Sequence, residues 1–529
     1  MSQQDNVIII GAGPSGMIVG CQLQRELGFT NFEIFEKGTD FGGTWYHNTY
    51  PGSGCDIPSH FYSFSFEKNP NWTRVFPLQA EIQEYMLNVA KKYNLYKHAH
   101  FRTEALSATW DKETERYTVS FKNLGTQEVY TKTCKFLVMC AGPLSVPNPC
   151  PVPGADKFKG KIWHSGHWNH DVDITDKNVA VIGNGCSATQ FIPVILPKVK
   201  SLTQFIRSQH WIFKRPNPFF PEKFKWAMRN IPGAMQLHRF LLAFLLDAQF
   251  IMFRTKAGQG MRNFCSKRAR RYMTLKAPEK YHDILVPKFE VGAKRRVFDT
   301  DYLKCLHDPK ILLTNDPLVQ INEKSVTTKS GKEYPVDAIV LANGFQIHEP
   351  MFPFVLTGKS GEKLKERWVR QQGPRAYMGV TVPDFPNMFM LVGPNTGSGH
   401  YSIIFIAECN ANFAIKLMKP FLSTGCKGSI EATEDAEKRY VDWVQTRLKE
   451  YIWVNSGEAG WYADKNGYNG TIYPHFQAHY WMKTLRPNWS DFKINGAKPS
   501  NNLGLGLLLI LIAFIGLLLS WLLSGFKQN

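Results

Sequence analysis

Residues Asn6–Gly16 read NVIIIGAGPSG, a short apolar run that breaks into glycines and then resumes past Pro14. The run reads as a buried strand, the glycines as its exit, and Pro14 as the first turn of a helix. In such a unit Gly11 makes the tight turn, Gly13 lets backbone approach a pyrophosphate, and Gly16 allows a helix to pack closely on the strand. The next apolar run, FEIFE, ends in Glu36, placed to accept a hydrogen bond from a ribose hydroxyl. A lone G-x-G-x-x-G says little. With a strand before it, a helix after it and an acid twenty residues on, it predicts a dinucleotide-binding α/β unit.

A second unit opens at Asn178 with NVAVIGNGCSA, carrying Gly183, Gly185, Ser187 and Ala188. Its following strand, SLTQFIRS, ends in Arg207 and Ser208 with no carboxylate for a ribose diol. A guanidinium and a hydroxyl there suit a 2′-phosphate, so NADPH is expected over NADH. FLVMCAGPLSVP at Phe136–Pro147 and DAIVLANGF at Asp337–Phe345 are strand-and-turn segments that would carry the chain between the two units. The alternating stretch from Arg102 to Phe121 predicts an antiparallel excursion. The expected architecture is α/β with two dinucleotide-binding (Rossmann-like) domains: residues 1–147 and 346–498 form one, and 148–345 the other, with a helical insertion over about 216–290.

Two further stretches narrow the chemistry. Gly42–Asp56 reads GGTWYHNTYPGSGCD, and Phe158–Asn169 reads FKGKIWHSGHWN in the interval between the two glycine signals. The first fits [A/G]-G-x-W-x-x-x-x-[F/Y]-P-[G/M]-x-x-x-D at every specified position. The second resembles F-x-G-x-x-x-H-x-x-x-W-[P/D] at Phe158, Gly160, His164 and Trp168, departing only at Asn169. Both resemble fingerprints of the Baeyer-Villiger monooxygenases, a branch of the flavin-containing monooxygenases. The resemblance implies FAD at the N-terminal site, with Ser15, Gly43, Thr44, Trp45, Asp56 and Tyr62 near the flavin. It implies that Lys294 of VGAKRRVF binds the NADP phosphate, that Arg295 faces the flavin, and that Asp56 orients that guanidinium. Trp461 resembles a pocket tryptophan of the family. The implied reaction inserts one oxygen atom of dioxygen into a lipophilic ketone through an adduct at flavin C4a, giving an ester or lactone. Oxygenation of an amine or sulfide is the alternative, and a membrane-anchored reductase a more distant one. Disulfide reductases with similar folds need a redox cysteine pair, whereas this stretch offers Trp45 and a single Cys55.

Among 529 residues there are ten cysteines without C-x-x-C or metal spacing, so no metal site is expected and the thiols read as reduced and cytosolic. The net charge of +19 is concentrated: Lys214–Arg296 holds 19 Lys/Arg against 5 Asp/Glu. Such a surface attracts phosphate groups of a cofactor or an anionic leaflet. No nucleic-acid module is legible around it. Leu503–Leu523 is an uncharged run of 21 residues followed by six more. At about 1.5 Å per residue it is long enough for a transmembrane helix, and it predicts a C-terminal anchor with the catalytic part in the cytosol, on the endoplasmic reticulum. Leu237–Phe253 is also apolar but carries Arg239 and Asp247, and it reads as a helical roof over a substrate channel before it reads as a membrane segment. No electron-transfer partner is required.

Overall fold

The computed structural model describes residues 5–347, 353–422, 428–455, 462–464 and 466–496. The run Leu503–Leu523 and Trp461 lie outside the described residues. Val7–Ile10 is a fully buried strand between parallel neighbours Phe32–Phe35 and Phe136–Met139, and Met388–Met390 and Ala99–His100 complete a five-stranded sheet. Continuous burial, without alternation, is what a parallel sheet covered on both faces imposes. Helix α1 (Pro14–Leu27) follows the first strand and ends at Gly28, whose φ of 61° is a left-handed cap. It packs against the helix Ile403–Leu422 on one side of the sheet.

The second sheet is also parallel and five-stranded, in the order Ile311–Thr314, Ser201–Phe205, Asn178–Ile182, Ala338–Leu341, Lys161–His164. Helix α2 (Cys186–Ile195) follows its glycine turn. The stretch Phe158–Asn169, between the two glycine signals, supplies the edge strand of this sheet, in register with Ala338–Leu341 so that His164 lies opposite Leu341. The placement has a packing cause: Trp163 is buried in the second core, and strand geometry buries it without loss of backbone hydrogen bonds. The Arg102–Phe121 excursion is the expected antiparallel one, with Thr103–Asp111, Arg116–Asn123 and Val129–Cys134 forming consecutive ladders.

Two connections cross between the sheets, and they are bonded to one another. The Asn148 N–H donates to Gly344 O and the Gln346 N–H to Val146 O, both at 2.9 Å. Gly344, at φ 83°, turns the second crossing in the left-handed region.

Between the strands Ser201–Phe205 and Ile311–Thr314 of the second sheet the chain builds, besides shorter turns of helix, α3 (Glu222–Asn230), α4 (Ala234–Ala248) and α5 (Gln259–Lys276). Arg239 and Asp247 hold α4 to the rest of the molecule. The Arg239 guanidinium donates to Ser63 Oγ at 2.8 Å, to Ser63 O at 3.2 Å and to His60 O. Asp247 accepts the Gln477 and Ala478 N–H groups at 2.7 and 3.0 Å, capping helix α6 (Gln477–Thr484) from outside its own sequence. Those are two of the four donors a helix start leaves unpaired. The same helix thus has an inner side that packs Leu242 and Leu246 on the first core and is pinned by these two polar clasps, and an apolar outer one.

Candidate functional site

The two glycine turns have the same construction. Gly11 has φ 105° and Gly183 φ 118°, and a Cβ on Gly183 would sit 2.3 Å from Ala342 O. A Cβ on Gly16 would lie 1.9 Å from Gly11 O, so no other residue permits this strand–helix approach. Helices α1 and α2 start at Gly13 and Gly185 with no side-chain cap and no acid in the first turn. Their first N–H donors, with Ser15 in the first turn of α1 and Ser187 and Ala188 in that of α2, are left for an anion such as a pyrophosphate. Glu36 is buried, accepting from Ala12 N at 2.8 Å and Gly38 N at 2.7 Å. It braces the first turn as well as standing at the strand end where a ribose would lie.

Gly43 touches Gly13 backbone to backbone: a Cβ on Gly43 would be 2.7 Å from Gly13 Cα, and its φ is 55°. Thr44 and Trp45 start the short helix that follows. The Trp45 indole N–H donates to Tyr62 Oη at 3.1 Å, the two rings edge to face at 5.7 Å. Farther along, Tyr50 Oη donates to Gln190 Oε1 at 2.8 Å and Gln190 Nε2 donates to Gly54 O at 3.0 Å, which fastens this motif to α2. Cys55 is buried, and burial pushes its thiol well above the usual range, the reverse of a reactive thiolate.

Asp56 and Arg295 form an ion pair. Arg295 Nη2 and Nε donate to the same Asp56 oxygen at 2.6 and 3.1 Å. Burial would raise the Asp56 carboxyl, but the charge and hydrogen bonds of Arg295 outweigh it and hold the group below the ordinary carboxylate range. Arg295 in turn is raised, chiefly by the charge of Asp56. The side chains stay 32% and 21% exposed, so the pair faces a cleft and is not sealed in the core.

Three groups around the pair were not singled out in the sequence. Arg215 donates to Cys55 O and stacks over Phe76 at 4.6 Å. Arg296 donates to Gln249 Oε1 at 2.9 Å. His400 is buried, with Nδ1 2.9 Å from Ser398 Oγ and Nε2 unpartnered; burial and the charges of Arg296 and Arg295 push it down to about 3. Only the adjacency of Arg296 to Arg295 hinted at any of them. Phe250, Phe253 and Trp453 are buried behind His400, and Trp453 Nε1 donates to Gly292 O at 3.1 Å, fixing the backbone that leads into Lys294 and Arg295.

Arg207, Ser208 and Lys294, from separate segments, line one surface pocket with Phe289 and Asn315. Lys294 Nζ lies 4.7 Å from the Phe289 ring centre, and Asn184 Nδ2 donates to Ser208 O at 2.8 Å, tying the pocket to the second glycine turn. In the edge strand, Gly166 N donates to His164 Nδ1 at 2.9 Å. His164 Nε2 therefore carries the proton, which it donates to Gly344 O at 3.0 Å. Burial lowers the His164 pKa, consistent with a neutral ring. Asn169 Oδ1 accepts from Asp171 N at 3.1 Å, a turn contact that an aspartate could make equally.

Residues 4–363 match the family described as flavin-binding monooxygenase-like. A Baeyer-Villiger monooxygenase of Streptomyces coelicolor is 32% identical over 496 residues, covering 93% of each chain. Another of Pseudomonas aeruginosa is 35% identical, covering 89% of this chain and 88% of its own. Among solved structures, an oxidised steroid monooxygenase bound to NADP superposes with a TM-score of 0.79 at 26% identity, over 92% of this chain and 99% of that one.

Proposed function

This chain belongs to the flavin-binding monooxygenase-like family, and on that premise we propose that it is an FAD- and NADPH-dependent Baeyer-Villiger monooxygenase that converts a lipophilic ketone to an ester or lactone. The carrying observation is the Asp56–Arg295 pair beside the flavin motif. When bound, FAD supplies the redox chemistry, accepting hydride from NADPH and activating dioxygen. The rest falls to the protein.

The uncapped start of α1, Gly11, Gly13, Gly16 and Glu36 would hold FAD, with Gly43, Trp45 and Tyr62 beside it. The start of α2 would hold the NADPH pyrophosphate, and Arg207, Ser208 and Lys294 its 2′-phosphate. Arg295 keeps a positive charge at the cleft through the working pH range, because both its own nature and Asp56 disfavour deprotonation. Among the described residues Arg295 Nη1 has no protein partner, so one arm of the fork can serve an anionic oxygen while Asp56 holds the other two donors. Phe250, Phe253 and Trp453, each at most 2% exposed, form a packed apolar backing behind His400 that keeps water from that side of the site. Attachment to the cytosolic side of the endoplasmic reticulum through Leu503–Leu523 is part of the same reading, supported by the length and composition of that run.

Purified protein supplied with ketones and, separately, sulfides tests the proposal, with NADPH consumption followed beside product mass. Ester from the ketone carries it. Sulfoxide without ester assigns the alternative chemistry, and equal reduction by NADH and NADPH at subsaturating concentration overturns the cofactor assignment.

A further inference from the structure

All exposed phenylalanines and tryptophans among the described residues fall between Phe219 and Phe264. On α4, Leu237, Phe240, Leu241, Phe244 and Leu245 are between 47% and 62% exposed and recur at the spacing of one helical face. Trp226 on α3, which packs on α4, extends that apolar surface at 56% exposure. A monomer rarely leaves so many large side chains in water on one element.

Charge says what covers them. From Phe219 to Lys276 the sequence has 12 Lys/Arg and 2 Asp/Glu, one of the two acids being the buried Asp247. Lys267, Arg268 and Arg271 are exposed on α5. We infer that the outer face of α4, with Trp226, lies in the headgroup boundary of an anionic lipid bilayer, while the basic side chains of α3 and α5 meet its phosphates. The uncharged Leu503–Leu523 run could cover the leucines but would leave that positive charge unanswered. The helical run Ala234–Phe253 is 20 residues long, enough to span by length alone, but it lies along the surface and does not cross, because Arg239 and Asp247 bond its inner side to the protein and Phe250, Met252 and Phe253 at its end are buried in the protein core. Directly after α4 the chain turns into the protein: Gln249 meets Arg296, and Phe250, 1% exposed, packs near His400, which ties the helix to the backing of the Arg295 site.

The test uses the full chain in vesicles of phosphatidylcholine with about 30% phosphatidylserine, a charge density comparable to an anionic leaflet. Photoreactive benzoylphenylalanine is placed at Phe240 or Phe244, and at the exposed Val129 or Val369 as controls. Phospholipid adducts, read by mass, should be at least about fivefold more abundant at 240 and 244 than at the controls. Lys267→Glu, Arg268→Glu and Arg271→Glu together, or vesicles without phosphatidylserine, should lower that yield at least about threefold. Adducts to the peptide 503–523 or to a second copy of the chain, or equal lipid labelling at all four positions, would overturn the inference. An anionic-lipid dependence that fails to appear would overturn its electrostatic half. Leu245 offers a replacement labelling site if either aromatic position fails to fold. The readout does not depend on which substrate is oxidised, so it succeeds or fails separately from the reaction.

Discussion

Arg295 lies in reach of Asp56 and Arg239 in reach of Glu408, and the two poorly solvated acids respond in opposite directions. Asp56 takes two N–H bonds from its arginine and is held below the usual range. Glu408 takes its bond from Ser65 N at 2.7 Å, and Arg239 spends its donors on His60 O and Ser63. Burial therefore dominates, raising Glu408 to about 7. Proximity of opposite charge is not enough. At these two sites direct contact separates the acid that stays ionised from the one that does not. Where burial is deeper it still wins, since Glu437 is raised even with Arg367 Nη2 at 3.1 Å. The cleft keeps a charged pair ready for chemistry, whereas the inner side of α4 uses its arginine as a clasp for carbonyl oxygens.

The largest expected effect comes from removing the cleft arginine. Arg295→Ala should still permit reduction of bound FAD by NADPH but should lower ester formation by about a thousandfold, the scale for loss of one oxyanion donor. Single-turnover reduction and product mass separate the two, and ester at the parent rate would erase the distinction drawn between the pairs. Arg239→Met tests the clasp: stability should drop by about 3 kcal/mol in urea unfolding, since charged hydrogen bonds to buried carbonyls are lost, with the turnover of folded enzyme retained.

Glu408→Gln should act with the opposite sign and with a pH signature. Because the folded pKa is raised from 4.5 to about 7, the wild-type acid costs nothing below about pH 4.5, and the penalty grows as pH rises toward 7. The variant should then be more stable by up to about 3 kcal/mol at pH 8 and equal at pH 4, as unfolding at the two pH values would report. Equal gains at both would mean that Glu408 is not the titrating group. Smallest is Lys294→Ala, the cation that lines the Arg207–Ser208 pocket. It should raise the KM for NADPH about tenfold, with kcat and the KM for NADH nearly unchanged.

What the sequence showed followed from the range of each constraint. Gly16 was readable because its contact, 1.9 Å from a would-be Cβ to Gly11 O, is made within one strand–helix unit. Arg207 and Ser208 were readable as a strand end, and the pocket adds Lys294, some 86 residues on, as the resemblance implied. Asp56 and Arg295 are 239 residues apart, and no local pattern joins them, so only the resemblance brought them together. Glu408, Arg215 and His400 gave no sign, since their settings are made by distant segments. The roof expected at Leu237 was half legible. Arg239 and Asp247 do dock it, but an exposed apolar stripe and a buried one look alike in a one-dimensional pattern.

The cap that Asp247 places on Gln477 and Ala478 spans 230 residues of chain. At a synthesis rate of about 5 to 20 residues per second, roughly 10 to 50 seconds pass between the emergence of α4 from a ribosome and that of its docking partner. During that interval the leucines of both faces are uncovered, Leu242 and Leu246 as well as the outer stripe. The nascent helix is then a client for a chaperone or a nearby bilayer before it is part of an enzyme. Slowing translation between residues 250 and 477 would lengthen that exposure without changing a single contact in the finished protein.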